Sequence, residues 1–250
     1  MFTITQGTHG TFLVLPNDAL GKVILEKKEF EPHFFNTVKN IVKEGDTCLD
    51  CGANLGHHTV VLSKLAGPTG HIISIEPQRI IYQQLNGNVF INGLKNVTCL
   101  QIALGLRDSE KKINMDYVDY DENNINIGAC KVGYGGDQVE QKKIDSIINE
   151  NTHVKFIKFD IQGSEVSALE GAKNVINRCR PIMFVEAEDV WLKFFGQNTK
   201  TLFDKINSFN YIILRVDNDY PHDYIAVPKE KENDIPGITK DTGWPITRIV

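Results

Sequence analysis

Along the chain, short apolar runs alternate with stretches whose apolar residues recur at helical spacing. Seven runs are dense in β-branched and apolar residues: TCLDC (47–51), HIISIE (71–76), VTCLQIAL (97–104), VKFIKFD (154–160), PIMFVE (181–186), YIILRV (211–216) and DYIAVP (223–228). Runs this continuous predict strands covered on both faces. Helices are predicted between them: FFNTVKNIV before the first run, LGHHTVVLSKLA after it, IIYQQLNGNVFIN after the second, SEVSALEGAKNVINRC after the fourth and FDKINSFN ahead of the last pair. In SEVSALEGAKNVINRC, Val166, Leu169, Ala172, Val175 and Ile176 mark one face. Regular alternation of strand and helix predicts βαβ units, right-handed crossovers and a largely parallel sheet, an α/β architecture.

Two regions break the rhythm. Residues 106–150 are polar, rich in Asn and Asp, and carry GYGG at 133–136, with a helical pattern only near KKIDSIINE. An insertion of this length is usually functional or mobile rather than core. Residues 229–250 mix charges and prolines and read as an extension that covers a site. The chain thus divides into an N-terminal extension (1–45) packing on a catalytic domain (46–228), a substrate-side insertion (106–150) within that domain, and a C-terminal extension (229–250). No internal repeat or low-complexity tract interrupts it.

Composition narrows the choice by exclusion. At 250 residues the chain is long enough to bury a sizeable core. A net charge of -5 and a pI near 5.8 argue against a nucleic-acid partner, whose binding surface would be basic. No apolar stretch approaches the length of a membrane span, so no membrane partner is expected. MFTITQGTHG lacks the basic and apolar regions of a secretory signal. The five cysteines (Cys48, Cys51, Cys99, Cys130, Cys179) are sparse and odd in number, which favours free thiols and a cytoplasmic location. Cys48 and Cys51 form a C-x-x-C, but on a strand residues three apart point to opposite faces, so packing is the better reading than zinc or redox chemistry. Oligomeric state is not readable from these features.

The chemistry begins at LDCGANLGHHTVVL, residues 49–62. A strand ending on Asp50, a turn with Gly52 and Gly56, and a following helix make a corner where backbone can approach a ligand. A dinucleotide corner reads G-x-G-x-x-G, whereas here Asn54 replaces the central glycine. Asp50 would oppose a pyrophosphate and favour a cation, which suits the sulfonium and amino group of S-adenosyl-L-methionine. The second strand ends on Glu76, placed to accept hydrogen bonds from ribose hydroxyls.

These residues carry a resemblance. The chain resembles the FkbM family of S-adenosylmethionine-dependent methyltransferases, within the class I, Rossmann-like fold. The similarity runs through LPNDALGKVILEKKEFEP, KEGDTCLDCGANLGHHT, GPTGHIISIEPQ, NVFINGLKNV, ALG, NINIGA, KKIDSI, IKFDIQGSEVSALEGA and RPIMFVEAED. It implies a doubly wound, mostly parallel seven-stranded sheet with helices on both faces and the last strand antiparallel. For the cofactor it implies Asp50, Gly52, Ala53, Asn54, Gly56 and Thr59 from the first block, Glu76 and Pro77 from the second strand end, and Ala103 from ALG. For catalysis it points to Asp160, Gln162, Glu165 and Glu186. The implied reaction is methyl transfer, usually to an oxygen on a sugar or other small molecule, so the expected partner is a small-molecule or glycan acceptor. One departure stands out: relatives usually read D-V-E-G-x-E where this chain reads D-I-Q-G-S-E, with Gln162 in place of an acid.

Ligands of open parallel sheets bind outside the carboxyl ends of the strands. Asp50, Glu76, Asp160 and Glu186 all fall at such ends, with the last two, and Glu188 and Asp189 just beyond, left for the acceptor. Asp160 is expected to activate the acceptor as a base. A hard divalent cation held by the same carboxylates is the open alternative, and no residue is assigned as a metal ligand. His57 and His58 read as packing or cofactor-lid residues. Asn124, Asn126 and Gly128 fall in a loop expected near the site. An NAD-dependent oxidoreductase and a non-catalytic binding protein are the competing functions.

Overall fold

The apolar runs do form strands, and their alternation sorts side chains between two cores. A computed structural model describes residues 2–109, 111–120, 122–123, 125–217 and 222–249. The chain opens with a hairpin, β1 (Thr3–Gln6) and β2 (Thr11–Val14), then α1 (Ala19–Lys27) and α2 (Pro32–Ile41). There follow β3 (Thr47–Cys51), α3 (His57–Ala66), β4 (His71–Ile75), α4 (Arg79–Ile91) and β5 (Val97–Leu100). β6 (Ile102–Leu104) leads into the insertion, which holds β7 (Ile113–Asp116), β8 (Gly135–Lys142) and α5 (Ile144–Ile147). The chain continues with β9 (Val154–Phe159), α6 (Glu165–Gly171), α7 (Lys173–Cys179), β10 (Ile182–Glu186), α8 (Asp189–Leu192) and α9 (Thr199–Ser208). Last come β11 (Tyr211–Val216), β12 (Asp223–Pro228), α10 (Ile235–Ile238) and β13 (Ile246–Arg248).

The main sheet has the order β13-β11-β12-β10-β9-β3-β4-β5. Neighbours from β10 to β5 pair parallel, and β12 runs antiparallel between β10 and β11. The described sheet therefore has eight strands rather than seven. The extra one, β13, is a three-residue segment pairing with β11, too short to show a period in the sequence. It covers a sheet edge that would otherwise expose unpaired backbone groups. On one face Leu49, Cys51, Ile157, Phe159 and Val185 pack under α6, α7 and α9. On the other Cys48, Ile72, Phe156, Phe184 and Ile225 pack under α2, α3 and α10. Cys48 and Cys51 sit in opposite cores, and burial pushes both thiols up, as inert packing residues require.

Three elements differ from the expected pattern. VTCLQIAL is two strands: β5 ends the main sheet, and the chain turns at Gln101 so that β6 pairs with β8 in a separate three-stranded sheet. An unbroken apolar run does not report a bend, because each half pairs in a sheet of its own. SEVSALEGAKNVINRC breaks at Ala172 (φ -108, ψ 7) into α6 and α7, yet Leu169, Ala172, Val175 and Ile176 all face the core as their spacing predicts. The 106–150 segment is more ordered than its polarity indicates, since Met115 and Val139 build a small core of their own with Ala103. No helix among the described residues is long and apolar enough to cross a membrane.

The N-terminal segment is fastened to the rest by side chains. Phe12, Val14, Leu20 and Ile24 pack on Leu55 and Val60, the latter on α3. Asn88 of α4 accepts from Leu13 N (2.6 Å) and donates to Leu55 O (2.7 Å). Asp18 caps α1 through Gly21 N (3.1 Å), and its other oxygen accepts Ile127 N (3.0 Å) in the insertion. One buried carboxylate thus joins the start of α1 to the insertion.

Candidate functional site

The β3–α3 turn is a close-packed corner. Gly52 has φ +79, and a Cβ there would stand 1.7 Å from Asp160 O, so only glycine lets this turn meet the β9 end. Gly52 N and Ala53 N both donate to Ile75 O (3.0 and 2.9 Å), which ties the turn to β4. Asn54, at φ +49, donates its N–H to Glu76 Oε2 (3.0 Å), while Gln78 N donates to Oε1 (2.9 Å). Burial pushes the Glu76 carboxyl up to about 7, against the opposing pull of those two N–H groups.

This corner forms one side of a cavity of about 320 Å³. Gly52, Asn54, Glu76, Pro77 and Ala103 line it, as do Asp160, Gln162 and Glu186 opposite. Asn126 and Gly128 of the insertion reach the same wall; Asn124 lies outside the described residues. No described residue of the C-terminal tail lines this cavity. Trp244 and Ile246 of the tail pack on the core beneath α2 instead.

Asp50 is placed differently from the expectation. It lies fully buried on the face beneath α3, where Thr59 Oγ1 donates to Oδ2 (2.6 Å) and Lys158 Nζ stands 3.4 Å from Oδ1. Thr59 Oγ1 also meets Ser74 Oγ at 2.9 Å. The cation that Asp50 faces is therefore Lys158 and not a ligand sulfonium. Asp50, Ala53, Gly56 and Thr59 support the corner from behind. Lys158 also reaches Asp160 Oδ2 (3.2 Å) and donates to Gly52 O (2.9 Å). Burial alone would lower its pKa, but Asp160 and Asp50 carry it above its ordinary value. A lysine inside an otherwise apolar strand, VKFIKFD, was the sequence signal for this residue: a charge there must find buried partners.

The floor is a pair of acids joined by an amide. Gln162, at φ +51, donates from Nε2 to Asp160 Oδ1 (2.8 Å) and Glu186 Oε2 (3.0 Å). A glutamate at 162 could not donate to both, having no hydrogen to give when ionised and only one when protonated, so the departure from the family pattern is matched to its two neighbours. Asp160, the expected base, has both oxygens engaged, Oδ2 by Lys158 and Oδ1 by Gln162. Glu186 differs: burial, then the nearby Asp160 and Asp223, hold its carboxyl well above the usual range. Glu165 does not reach the cavity. Its Oε1 accepts Ile161 N (3.0 Å) and Gly163 N (3.2 Å), shaping the loop before α6, and burial pushes the group up to about 7.

Sequence reasoning missed Glu31, His33 and Asp223. Glu31 lines the cavity from the start of α2 in a left-handed conformation (φ +45), and His33 Nε2 lies 2.7 Å from Asp223 Oδ2. Nothing in EFEPHFF marks Glu31 or His33, because the partner of His33, Asp223, comes from a strand far along the chain. His57 and His58 are buried beside aromatic rings, Phe12 and Phe34 respectively. Burial holds His57 down to about 3 and His58 well below the ordinary value, so both are neutral packing groups rather than bases.

The strand order, with one reversed strand beside a parallel half and a glycine corner after the first parallel strand, defines the class I methyltransferase fold. Residues 50–213, well over half of the chain, match the Methyltransferase FkbM domain, and the chain belongs to that family. A methyltransferase FkbM from Methylobacillus flagellatus KT is similar in structure, with TM-score 0.51 and 23% identity over 73% of this chain. The chain spans 43% of that protein's length. The cofactor-bound Rv0187 from MTB matches with TM-score 0.50 and 9% identity over 80% of this chain and 79% of its own. No curated protein matches the chain.

Proposed function

We propose that the protein transfers the methyl group of S-adenosyl-L-methionine to a hydroxyl oxygen of a sugar or other small molecule. The observation that carries this reading is the Asp160–Gln162–Glu186 floor, which presents a carboxylate across the cavity from the Gly52–Glu76 corner. The corner fits the cofactor: a Cβ at Gly52 would collide with Asp160 O, and Glu76 keeps acceptor capacity beyond its two backbone bonds. Gly52, Asn54 and Glu76 hold the cofactor, with Glu76 accepting the ribose hydroxyls. Bound there, S-adenosylmethionine would supply an electrophilic sulfonium methyl, with S-adenosylhomocysteine, a neutral thioether, as the leaving group.

The chain's own task is to orient the acceptor and take its proton. A hydroxyl is a poor nucleophile until its proton is shared with a base. Glu186 is that base, since it lines the cavity while Asp160 is engaged by Lys158. Gln162 holds the Glu186 carboxylate in place, and positioning supplies much of the remaining acceleration. The reaction is tested by incubating the protein with S-adenosylmethionine and a panel of sugars and other alcohols, reading products by mass spectrometry. A single-methylene mass gain on an alcohol supports the reading. Tight cofactor binding with no product across the panel, or methylation of nitrogen acceptors alone, defeats it.

A further inference from the structure

On the side of the floor away from Gly52, α2 begins against β12, and three residues of different chain regions converge. We infer that Glu31, His33 and Asp223 form a site for one divalent metal ion of the Mn²⁺-to-Zn²⁺ group. One ligand atom from each lies within 4.8 Å of the other two. His33 and Asp223 are buried, and Glu31 opens onto the cavity. The imidazole is held by Trp244 edge-on at 5.4 Å and Phe184 at 6.2 Å, so it is presented in one orientation.

A second observation points to a ligand independently of that cluster. His58, from the first turn of α3, is buried with no hydrogen-bond partner for Nε2. That atom lies 3.3 Å from Glu31 Oε2, and the ring stacks on Phe34 at 3.9 Å. A buried, unsatisfied imidazole nitrogen is costly and rare in proteins. Aimed at a carboxylate of the cluster, it stands where a fourth ligand, or a group contacting metal-bound water, would stand. Lys158 makes its close contacts with Asp50, Asp160 and Gly52 O and acts on Glu31 only by longer-range attraction.

The donor set selects the ion. Imidazole with two carboxylates favours a borderline first-row ion over Mg²⁺ or Ca²⁺, which prefer oxygen alone. The Asp160–Glu186 pair is a poorer cation site, because the Gln162 amide directs its N–H groups at the oxygens that would have to bind. An ion at Glu31 would lie at the acceptor end of the cavity, in reach of a second hydroxyl of a sugar.

The test uses the full chain with Mn²⁺ alone, and its result does not depend on cofactor binding or methyl transfer. Electron paramagnetic resonance titration is expected to show one tight site per chain, with nitrogen coupling from imidazole in the pulsed spectrum of the parent protein. Glu31→Gln and His33→Asn should each weaken binding at least ten-fold, and His33→Asn should remove or reduce the nitrogen coupling. Asp160→Asn should leave Mn²⁺ affinity nearly unchanged. The inference is overturned if neither Mn²⁺ nor Zn²⁺ binds the parent stoichiometrically, or if its Mn²⁺ spectrum lacks nitrogen coupling. It is equally overturned if Asp160→Asn abolishes binding while Glu31→Gln does not. The parent's spectrum decides the matter even where a variant fails to fold.

Discussion

On the β3–β4 side of the cavity, Glu76 is held by two backbone N–H groups and no other carboxylate shares its loop. On the β9–β10 side, Asp160 and Glu186 approach each other across one amide, with Glu31 and Asp223 close behind. In the first region each oxygen of Glu76 accepts one backbone N–H, which fixes the carboxyl in place and leaves acceptor capacity for a ligand. The second gathers like charges, and burial, then repulsion, raises the carboxyls of Glu31 and Glu186 well above the usual range. Such crowding costs stability and is found where a group must take or share a proton. On the proposed function the first side holds the cofactor and the second reacts, with Lys158 at the boundary between them.

The largest effect that would sharpen this contrast is on rate. Glu186→Gln should slow single-turnover methyl transfer roughly 10²–10⁴-fold while leaving cofactor affinity nearly unchanged. A parental rate with saturating cofactor would move the base elsewhere, Glu31 being next. Lys158→Met tests the boundary: it strips the cation from Asp50 and Asp160, and removing one partner of a buried pair costs about 3–5 kcal/mol. Denaturant unfolding should show that loss, and an unchanged midpoint would mean the polar row is not coupled through Lys158. Glu76→Ala should weaken cofactor binding by about 1.5–3 kcal/mol, measured by calorimetry, as charge-assisted bonds are lost. Equal affinity in that variant would break the assignment of this side to the ribose.

The smallest effect is a pH dependence. With its folded pKa raised to about 7 from an ordinary 4.5, Glu76 is protonated in the folded protein where the unfolded chain would be ionised. Its contribution to stability is therefore full below pH 4.5 and is lost as pH rises to about 7. Cofactor affinity should move the other way, rising through pH 7 as the carboxylate ionises, by about 1 kcal/mol or roughly five-fold. Calorimetry of parent and Glu76→Gln at pH 6 and 8 isolates the effect, which should vanish in the variant.

Much of this molecule was legible in its sequence. TCLDC, YIILRV and DYIAVP are strands to the residue, because continuous β-branched runs bounded by turn residues have no other low-energy use in a buried sheet. The opposite facing of Cys48 and Cys51 follows from the two-residue period alone. The glycine corner was legible because Gly52 and Gly56, both at positive φ, answer a demand of the local backbone. Periodicity tells which face a residue takes but not what covers that face, and here it misled. Asp50 ends a parallel strand as expected, yet α3 brings Thr59 over it and β9 sets Lys158 beside it. Gln162 looked like a lost acid until the fold placed it between two others.

By itself the sequence determined the strands, the crossover pattern and the corner, all consequences of forces acting within a few residues along the chain. Only the tertiary structure decided which acids share space. Glu31 and Asp223 are 192 positions apart in number, and Glu186 meets Asp223 only because β12 runs back beside β10. Ionisation and metal affinity depend on distances of a few ångströms between such groups, and those distances exist only once the sheet has closed around them.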